Sequence, residues 1–285
     1  MIGRPRRERR EAHAEGDPSS LPAPPRWSQP IPEPDIPAGW RTGPPDFVGV
    51  GAQRAGTSWW YRFAIDSHPR VARVEDQRKE LHFFDRFWRD PVPEDLAERY
   101  ARLFPRPEGA VTGEWTPRYM HDPWALTLLR NAAPQARILV LLRDPVDRYL
   151  SGLTRDLRIA RRDGRHLAMA YVNDQIARSA YGEQLRQLFE LFDRERVLVL
   201  QYERCSAEPG AEMERTCRFL GLEPTDEPPA ELTQRRRPPR EKPELSAEVR
   251  AALVERLAPD VARTAKLCPD LDLRLWPDFA GSASR

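Results

Sequence analysis

Residues 47–60 constrain the fold of this chain more than any other stretch. The run at 47–52 (Phe-Val-Gly-Val-Gly-Ala) is apolar and contains two glycines, which is typical of a fully buried parallel strand. A short loop bounded by Gly51 and Gly56 then brings Arg54, Thr57 and Ser58 to the start of a predicted helix over 58–66. Backbone N–H groups at such a helix start bind phosphate groups, so we expect a phosphate-bearing ligand here.

The loop differs from that of nucleoside triphosphatases at one decisive position. The spacing Gly51-x4-Gly56 matches, but Thr57 stands where the lysine of that loop belongs, and the positive charge sits earlier, at Arg54. The pattern therefore indicates an anionic group other than a Mg-bound γ-phosphate. A P-loop kinase or NTPase remains the alternative at this point.

Two further apolar runs, at 137–142 and 196–200, predict buried strands. Helical patterns lie between and after the strands, at 93–104, 122–132, from about 144 past 151, and at 181–192, 209–220 and 246–258. Strands that alternate with helices favour a parallel sheet covered on both faces. The expected fold class is α/β, a P-loop-like three-layer fold with a central parallel sheet flanked by helices.

Composition sets the domain limits and excludes several partners. Residues 1–45 hold eleven prolines and few aliphatic side chains, so we expect a disordered tail there and a single domain over 46–280.

The net charge of +2 argues against nucleic acid as a partner, and no run is long enough to span a membrane. Three scattered cysteines suit a reducing cytoplasm. No His/Cys cluster has metal-ligand spacing, so no metal is expected.

A second motif follows the strand at 137–142. It reads Arg-Asp-Pro-Val-Asp-Arg-Tyr-Leu-Ser and runs from Arg143 to Ser151. Arg143 stands at the carboxyl end of its strand, where open α/β sheets bind ligands, and Ser151 follows about two helical turns later. If the loop folds back, the guanidinium of Arg143 and the hydroxyl of Ser151 converge on one phosphate. Taken alone, the motif is equally consistent with a solvated turn.

The two motifs together resemble the sulfotransferases that use 3′-phosphoadenosine 5′-phosphosulfate (PAPS). The resemblance covers most of the chain from Phe47 to about Leu257. It implies that the first loop holds the 5′-phosphosulfate, that Arg143 and Ser151 hold the 3′-phosphate, and that adenosine 3′,5′-bisphosphate (PAP) is the product. The nucleotide-binding residues implied in this way are Arg54, Ala55, Gly56, Thr57, Ser58, Arg143, Ser151, Tyr181 and Arg240.

The segments at 79–85 and 113–119 are similar to the heparan-type, carbohydrate-modifying branch of that family. The resemblance makes Glu80 the base that deprotonates the acceptor and places His82 in the acceptor site. Arg54 would stabilise the bridging oxygen. Because Leu81, Phe83 and Phe84 surround Glu80 in sequence, we expect partial desolvation to raise its pKa.

Three positions depart from the family pattern. Arg54 replaces the loop lysine, Trp115 replaces a lysine of the acceptor segment, and Pro238-Pro239 replaces the Lys-Gly of the closing loop. Arg118 is a candidate to supply the charge missing at Trp115, and Trp59 and Trp115 are candidate aromatic surfaces for the acceptor. A catalytically inactive nucleotide-binding scaffold protein therefore stays open as an alternative.

The expected activity is sulfuryl transfer from PAPS to a hydroxyl or amine of a carbohydrate or secondary metabolite. The expected partners are a small-molecule or glycan acceptor, with no nucleic acid and no membrane. The sequence does not identify the acceptor or the oligomeric state.

Overall fold

The computed structural model describes residues 29–73, 78–225, 228–233 and 242–284. Within them a parallel sheet forms in the strand order β2-β1-β3-β4. In register, Val48 of the first strand lies opposite Glu114 of the second, and Val140 of the third opposite Val199 of the fourth. The strands are β1 (Phe47–Gly51), β2 (Gly113–Trp115), β3 (Arg137–Leu142) and β4 (Val197–Gln201).

Burial explains which strands could be predicted from the sequence. All of β1 and all of β3 after its first residue are buried, because helices cover the sheet and continuous apolar runs are what such strands require. The three predicted strands are confirmed to within a residue at each end. β2 was not predicted, since its three residues Gly-Glu-Trp carry neither an apolar run nor an alternation.

Helices flank the sheet, and the expected fold class is confirmed. In chain order they are α1 (Thr57–Trp60), α2 (Leu96–Arg102), α3 (Pro123–Ala132), α4 (Pro145–Arg162), α5 (Met169–Ser179), α6 (Tyr181–Leu191), α7 (Tyr202–Ala207), α8 (Pro209–Leu220), α9 (Ala230–Thr233) and α10 (Ala247–Leu267). A π-helical turn, Tyr61–Ile65, extends α1, and 3₁₀ turns occur at Asp85–Trp88, Arg194–Arg196, Leu273–Leu275 and Pro277–Ser284. α8 has its predicted bounds, α10 runs nine residues past the predicted end at 258, and α5 was not predicted.

The division into a tail at 1–45 and a domain at 46–280 stays a prediction. Residues 1–28 lie outside the described ranges. From 29 to 45 the chain forms neither helix nor strand, but Arg41 exchanges two backbone hydrogen bonds with Arg106, at 3.0 and 2.9 Å. None of the helices in the described ranges has both the length and the apolar character needed to cross a bilayer.

Candidate nucleotide and acceptor site

A cleft of about 1090 Å³ opens where β1 and β3 end. The β1–α1 loop, the start of α4 and the segment around residue 80 line one part of it, and α5 lines another. Most of the site residues predicted from the sequence meet here: Arg54, Gly56, Thr57, Ser58, Glu80, His82, Arg143 and Ser151.

The β1–α1 loop turns sharply at Gly56, which precedes the first residue of α1. Gly56 has φ +95°, in the left-handed region that favours glycine. A Cβ atom here would lie 2.7 Å from the ring of Tyr202, so the position needs glycine for two independent reasons. The turn leaves Thr57 almost fully buried and Ser58 exposed at the start of the helix.

Arg54 connects the first motif to the second. Its Nε donates a hydrogen bond of 3.2 Å to Oγ of Ser151 on α4. The hydroxyl of Ser151 accepts this bond and keeps its own proton for another partner. The two motifs therefore meet in the fold, with Arg54 and Ser151 in direct contact. The convergence of Arg143 and Ser151 on one phosphate stays a prediction.

Arg143 leaves β3 and enters the same cleft. Its Nη2 donates to Oδ2 of Asp147 at 2.7 Å, and its guanidinium lies 4.9 Å from the centre of the Tyr202 ring. Lys242 also contacts Asp147, with Nζ 2.8 Å from Oδ1. The Nε of Arg143 is buried and has no hydrogen-bond partner in the described part of the chain. This guanidinium, which lines the cleft, therefore has one unsatisfied buried donor.

Lys79, which the sequence argument did not place in the site, reaches the loop from the side. Its Nζ lies 3.1 Å from Oγ1 of Thr57, 3.2 Å from Oγ of Ser58 and 3.2 Å from Oε1 of Glu80. The sequence signal that could have found it is its place next to Glu80, at the start of the segment at 79–85. The side chain of Lys79 is mostly buried, with 16% of it exposed.

Glu80 stands between two cationic groups. Oε1 faces Lys79, while Oε2 lies 3.3 Å from Nε2 of His82. The other ring nitrogen of His82, Nδ1, lies 2.5 Å from Oδ2 of Asp85. Asp85 in turn lies 3.7 Å from Nε of Arg118. Glu80, His82 and Asp85 thus form a continuous carboxylate–imidazole–carboxylate chain that ends at the cleft.

The expectation that the pKa of Glu80 is raised is wrong. Burial does act in that direction, but the hydrogen bond from His82 and the charge of Lys79 outweigh it and hold the pKa at about 2. For His82, burial lowers the pKa, yet its bonds to Asp85 and Glu80 outweigh that effect and raise it to about 9. At neutral pH the pair is a carboxylate beside an imidazolium. Glu80 is therefore ionised and able to accept a proton.

Hydrogen bonds to backbone N–H groups fix the segment that carries Glu80. The buried carboxylate of Glu114 accepts from the N–H of Leu81 at 3.1 Å, Thr116 Oγ1 accepts from that of His82 at 3.2 Å, and the hydroxyl of Tyr119 accepts from that of Phe83 at 2.8 Å. The segments at 79–85 and 113–119 thus form one structural unit.

Of the two tryptophans proposed as surfaces for the acceptor, Trp59 lines the cleft and Trp115 does not. Trp115 is fully buried against Gly49, where a Cβ would lie 2.1 Å from its ring, and its Nε1 donates to the Gly51 carbonyl at 3.0 Å. The hypothesis that it holds the acceptor is therefore wrong. Trp59 does line the cleft, beside Tyr202. Arg118 also lines it, although its Nε is engaged by Asp122 at 2.6 Å.

Two predicted nucleotide-binding residues, Ala55 and Tyr181, do not line the cleft, and a third lies outside the described residues. Ala55 is completely buried behind the loop. Tyr181 is also buried and does not line the cleft, but its hydroxyl donates to the carbonyl of Arg143 at 3.0 Å and so supports that residue from behind. Arg240 lies outside the described residues. Among the residues that are described, no three His, Cys, Asp or Glu side chains are grouped to hold a metal ion.

The family model described as "Sulfotransferase domain" matches residues 44–237 of the chain. Mouse heparan sulfate glucosamine 3-O-sulfotransferase 3A1 is 28% identical over 191 residues, which is 62% of this chain and 46% of that relative. The membrane-associated sulfotransferase kil1 of Dictyostelium discoideum is 28% identical over 107 residues, 38% of this chain and 22% of that relative. The chain thus spans less than half the length of these two curated relatives.

A solved structure has the same fold over most of the chain. The sulfotransferase from Alicyclobacillus acidocaldarius superimposes with a TM-score of 0.62 at 26% sequence identity. The match covers 82% of this chain and 98% of that one.

Proposed function

The chain belongs to the sulfotransferase domain family, and from this premise we propose that it transfers a sulfuryl group from PAPS to a hydroxyl or amine of an acceptor. The observation that carries the proposal is the contact of 3.2 Å between Arg54 and Ser151. It joins the two predicted phosphate-binding motifs in one cleft, and the candidate base Glu80 lines that same cleft.

The chemistry of the cleft fits a nucleotide that carries two separate anionic groups. Arg54, Thr57 and Ser58 on the loop would hold the 5′-phosphosulfate, since cationic and hydroxyl donors converge there. Arg143 and Ser151 would hold the 3′-phosphate, and the unpaired buried Nε of Arg143 supports this assignment. Arg240, from the closing loop, remains part of the proposal on sequence resemblance alone.

Glu80 is the proposed base. The acceptor oxygen or nitrogen bonds to sulfur while its proton passes to the Glu80 carboxylate, and the bond between sulfur and the 5′-phosphate oxygen breaks to release PAP. Arg54 would stabilise the charge that develops on that oxygen. His82 holds Glu80 ionised and faces it across 3.3 Å. The contacts with His82 and Lys79 that lower the pKa of Glu80 also lower its basicity.

A carbohydrate is the acceptor class we favour, because a relative that matches 62% of the chain is named as a heparan sulfate glucosamine sulfotransferase. A secondary metabolite is the second candidate. We favour an active enzyme over an inactive scaffold because hydrogen bonds hold the segment that carries Glu80 in place. We also propose a cytoplasmic location for this domain, supported by three buried free cysteines.

The test is a comparison of ligands on the intact chain. PAP should raise the melting temperature by mass action on the folded state, and ATP with Mg²⁺ should do so much less. Equal stabilisation by the two would favour a kinase or NTPase instead. Turnover is then measured by mass spectrometry, as a sulfate mass increment on a panel of glycans and phenolic or alcoholic metabolites incubated with PAPS.

A further inference from the structure

The Nζ atom of Lys79 contacts both the proposed nucleotide-binding loop and the proposed base. Its Nζ lies within 3.2 Å of the Thr57 and Ser58 hydroxyls on the nucleotide loop and of the Glu80 carboxylate on the acceptor side. The chain has only three lysines, and this one is mostly buried. Burying an ammonium group is costly unless all its donors are satisfied.

An ammonium group can only donate hydrogen bonds, and this fixes the direction of the contacts that Lys79 makes. A lysine has three N–H donors and no acceptor, so Thr57 and Ser58 both accept from Lys79. Each hydroxyl then has its own proton left to donate elsewhere. Both residues line the cleft, so their O–H groups are free to donate to an anion bound there. The third N–H of Lys79 goes to Glu80 and favours its ionised form.

Lys79 brings a positive charge to the loop position at which the usual lysine is replaced by Thr57. Thr57 stands where a nucleoside triphosphatase loop has its lysine. Here an ammonium group reaches the Thr57 hydroxyl from another segment of the chain, 22 residues further along. The charge is near the loop, but it lies behind the hydroxyls rather than among the lining residues of the cleft.

We propose that Lys79 is a positioning residue that orients the hydroxyls of Thr57 and Ser58 toward the 5′-phosphosulfate and fixes the position of the Glu80 carboxylate. It acts through these three side chains. This inference rests on the proposed function, because it assigns the group that the loop hydroxyls would bind.

The first experiment measures nucleotide affinity by titration calorimetry with Lys79→Met and its matched control Arg78→Met. The control removes the same charge from the adjacent residue, which is exposed and bonded to Gln29. Lys79→Met should weaken PAP about tenfold or more, the size of a lost charge-assisted hydrogen bond. It should leave adenosine 3′-monophosphate, which lacks the 5′-phosphate, unchanged, and Arg78→Met should leave both ligands unchanged.

Equal losses for the two ligands, or wild-type affinity for PAP, would overturn the inference. Failure of the wild-type protein to bind PAP would instead remove the proposed function itself. If Lys79→Met does not fold, Lys79→Gln keeps an N–H donor without the charge, on a side chain one atom shorter, and the same selective loss of PAP is expected. A double variant with Thr57→Val should lose less than the sum of the two single losses, because the lysine acts through that hydroxyl.

The second experiment follows the Glu80 carboxyl group by ¹³C NMR, assigned with Glu80→Gln. The charged side chains that face Glu80 are Lys79 and His82; behind them, Asp85 contacts His82, Arg118 contacts Asp85, and Glu114 acts on Lys79. Lys79→Met should raise the pKa of Glu80, whereas Lys79→Arg should largely retain it. An unchanged titration in Lys79→Met would show that the lysine has no influence on the base.

Discussion

The Nε atom of Arg54 lies 3.2 Å from Oγ of Ser151, although 97 positions separate the two residues in the chain. One residue follows β1 and the other belongs to α4, which follows β3. Adjacent parallel strands end at the same edge of a sheet, so two loops that are distant in sequence share one site. The predictions below test the assignments made at that edge.

Arg143→Ala should weaken PAP far more than it weakens adenosine 5′-phosphosulfate, which lacks the 3′-phosphate. A charge-assisted hydrogen bond contributes about 1.5–3 kcal/mol, so the expected loss for PAP is about 10- to 150-fold. Isothermal titration calorimetry with both ligands measures the difference. The control is Arg137→Ala, at the other end of β3, where Nη1 donates to the Leu220 carbonyl. Similar losses for both ligands would make Arg143 a structural residue.

Glu80→Gln should abolish most turnover while PAP binds as in the wild type. The amide keeps the shape of the side chain but cannot take the acceptor's proton, and general base catalysis typically contributes on the order of 10²–10⁴-fold. Single-turnover rates with PAPS and a sulfated product readout give the comparison. Glu98→Gln, on the exposed face of α2, is the matched control. Normal turnover in Glu80→Gln would move the base elsewhere, and His82 and Asp85 would be tested next.

His82→Gln should destabilise the protein more near pH 6 than near pH 10. The folded pKa of His82 is raised from 6.5 to about 9, so its stabilising effect is complete below pH 6.5 and is lost as the pH rises through 9. The pKa of Glu80 is lowered from 4.5 to about 2, so the contribution of its charge to the free energy of unfolding is complete above pH 4.5 and is lost as the pH falls through 2. Urea unfolding of both proteins at several pH values measures the difference.

A pH-independent difference between wild type and His82→Gln would contradict the ion pair between Glu80 and His82. His166→Gln serves as the control because this histidine is exposed. Its effect on the free energy of unfolding should be small, as expected for an exposed side chain.

Gly56→Ala should destabilise the fold and weaken PAP together. The left-handed backbone at φ +95° costs a residue with a Cβ about 1–2 kcal/mol, and the new methyl group meets the Tyr202 ring at 2.7 Å. Gly39→Ala separates the two causes, since Gly39 has φ +82° with nothing within 4 Å of the added Cβ. Thermal unfolding should show a larger loss for Gly56→Ala than for Gly39→Ala, and equal losses would mean that Tyr202 moves aside.

The sequence predicted the sheet well because buried parallel strands need apolar residues on both faces, and β1, β3 and β4 all have such runs. α5 was not predicted, since few of its residues are buried and no wide apolar stripe marks it. Lys79 was missed for a different reason. Its partners Thr57 and Ser58 lie more than 20 positions away, and no local pattern predicts a side-chain contact of that kind.

The direction of the Glu80 pKa shift shows the limit of local reasoning. Leu81, Phe83 and Phe84 are its neighbours in sequence, and all three are buried. The backbone turns at His82, which has φ +54°, so the carboxylate faces an ammonium and an imidazole instead. Composition around a residue indicates burial, but the charges that decide a pKa come from the tertiary fold.

The buried carboxylate of Glu114 has a consequence for how the cleft can change shape. It accepts hydrogen bonds from Tyr100, Thr116, Tyr119 and the backbone of Leu81, at 2.5 to 3.1 Å. Since Glu114 belongs to β2, the segment that carries the proposed base Glu80 is tied to the sheet through the N–H of Leu81. Widening of the cleft for a bulky acceptor would therefore fall to the part lined by α5, and substitutions there would alter acceptor choice without displacing the proposed base.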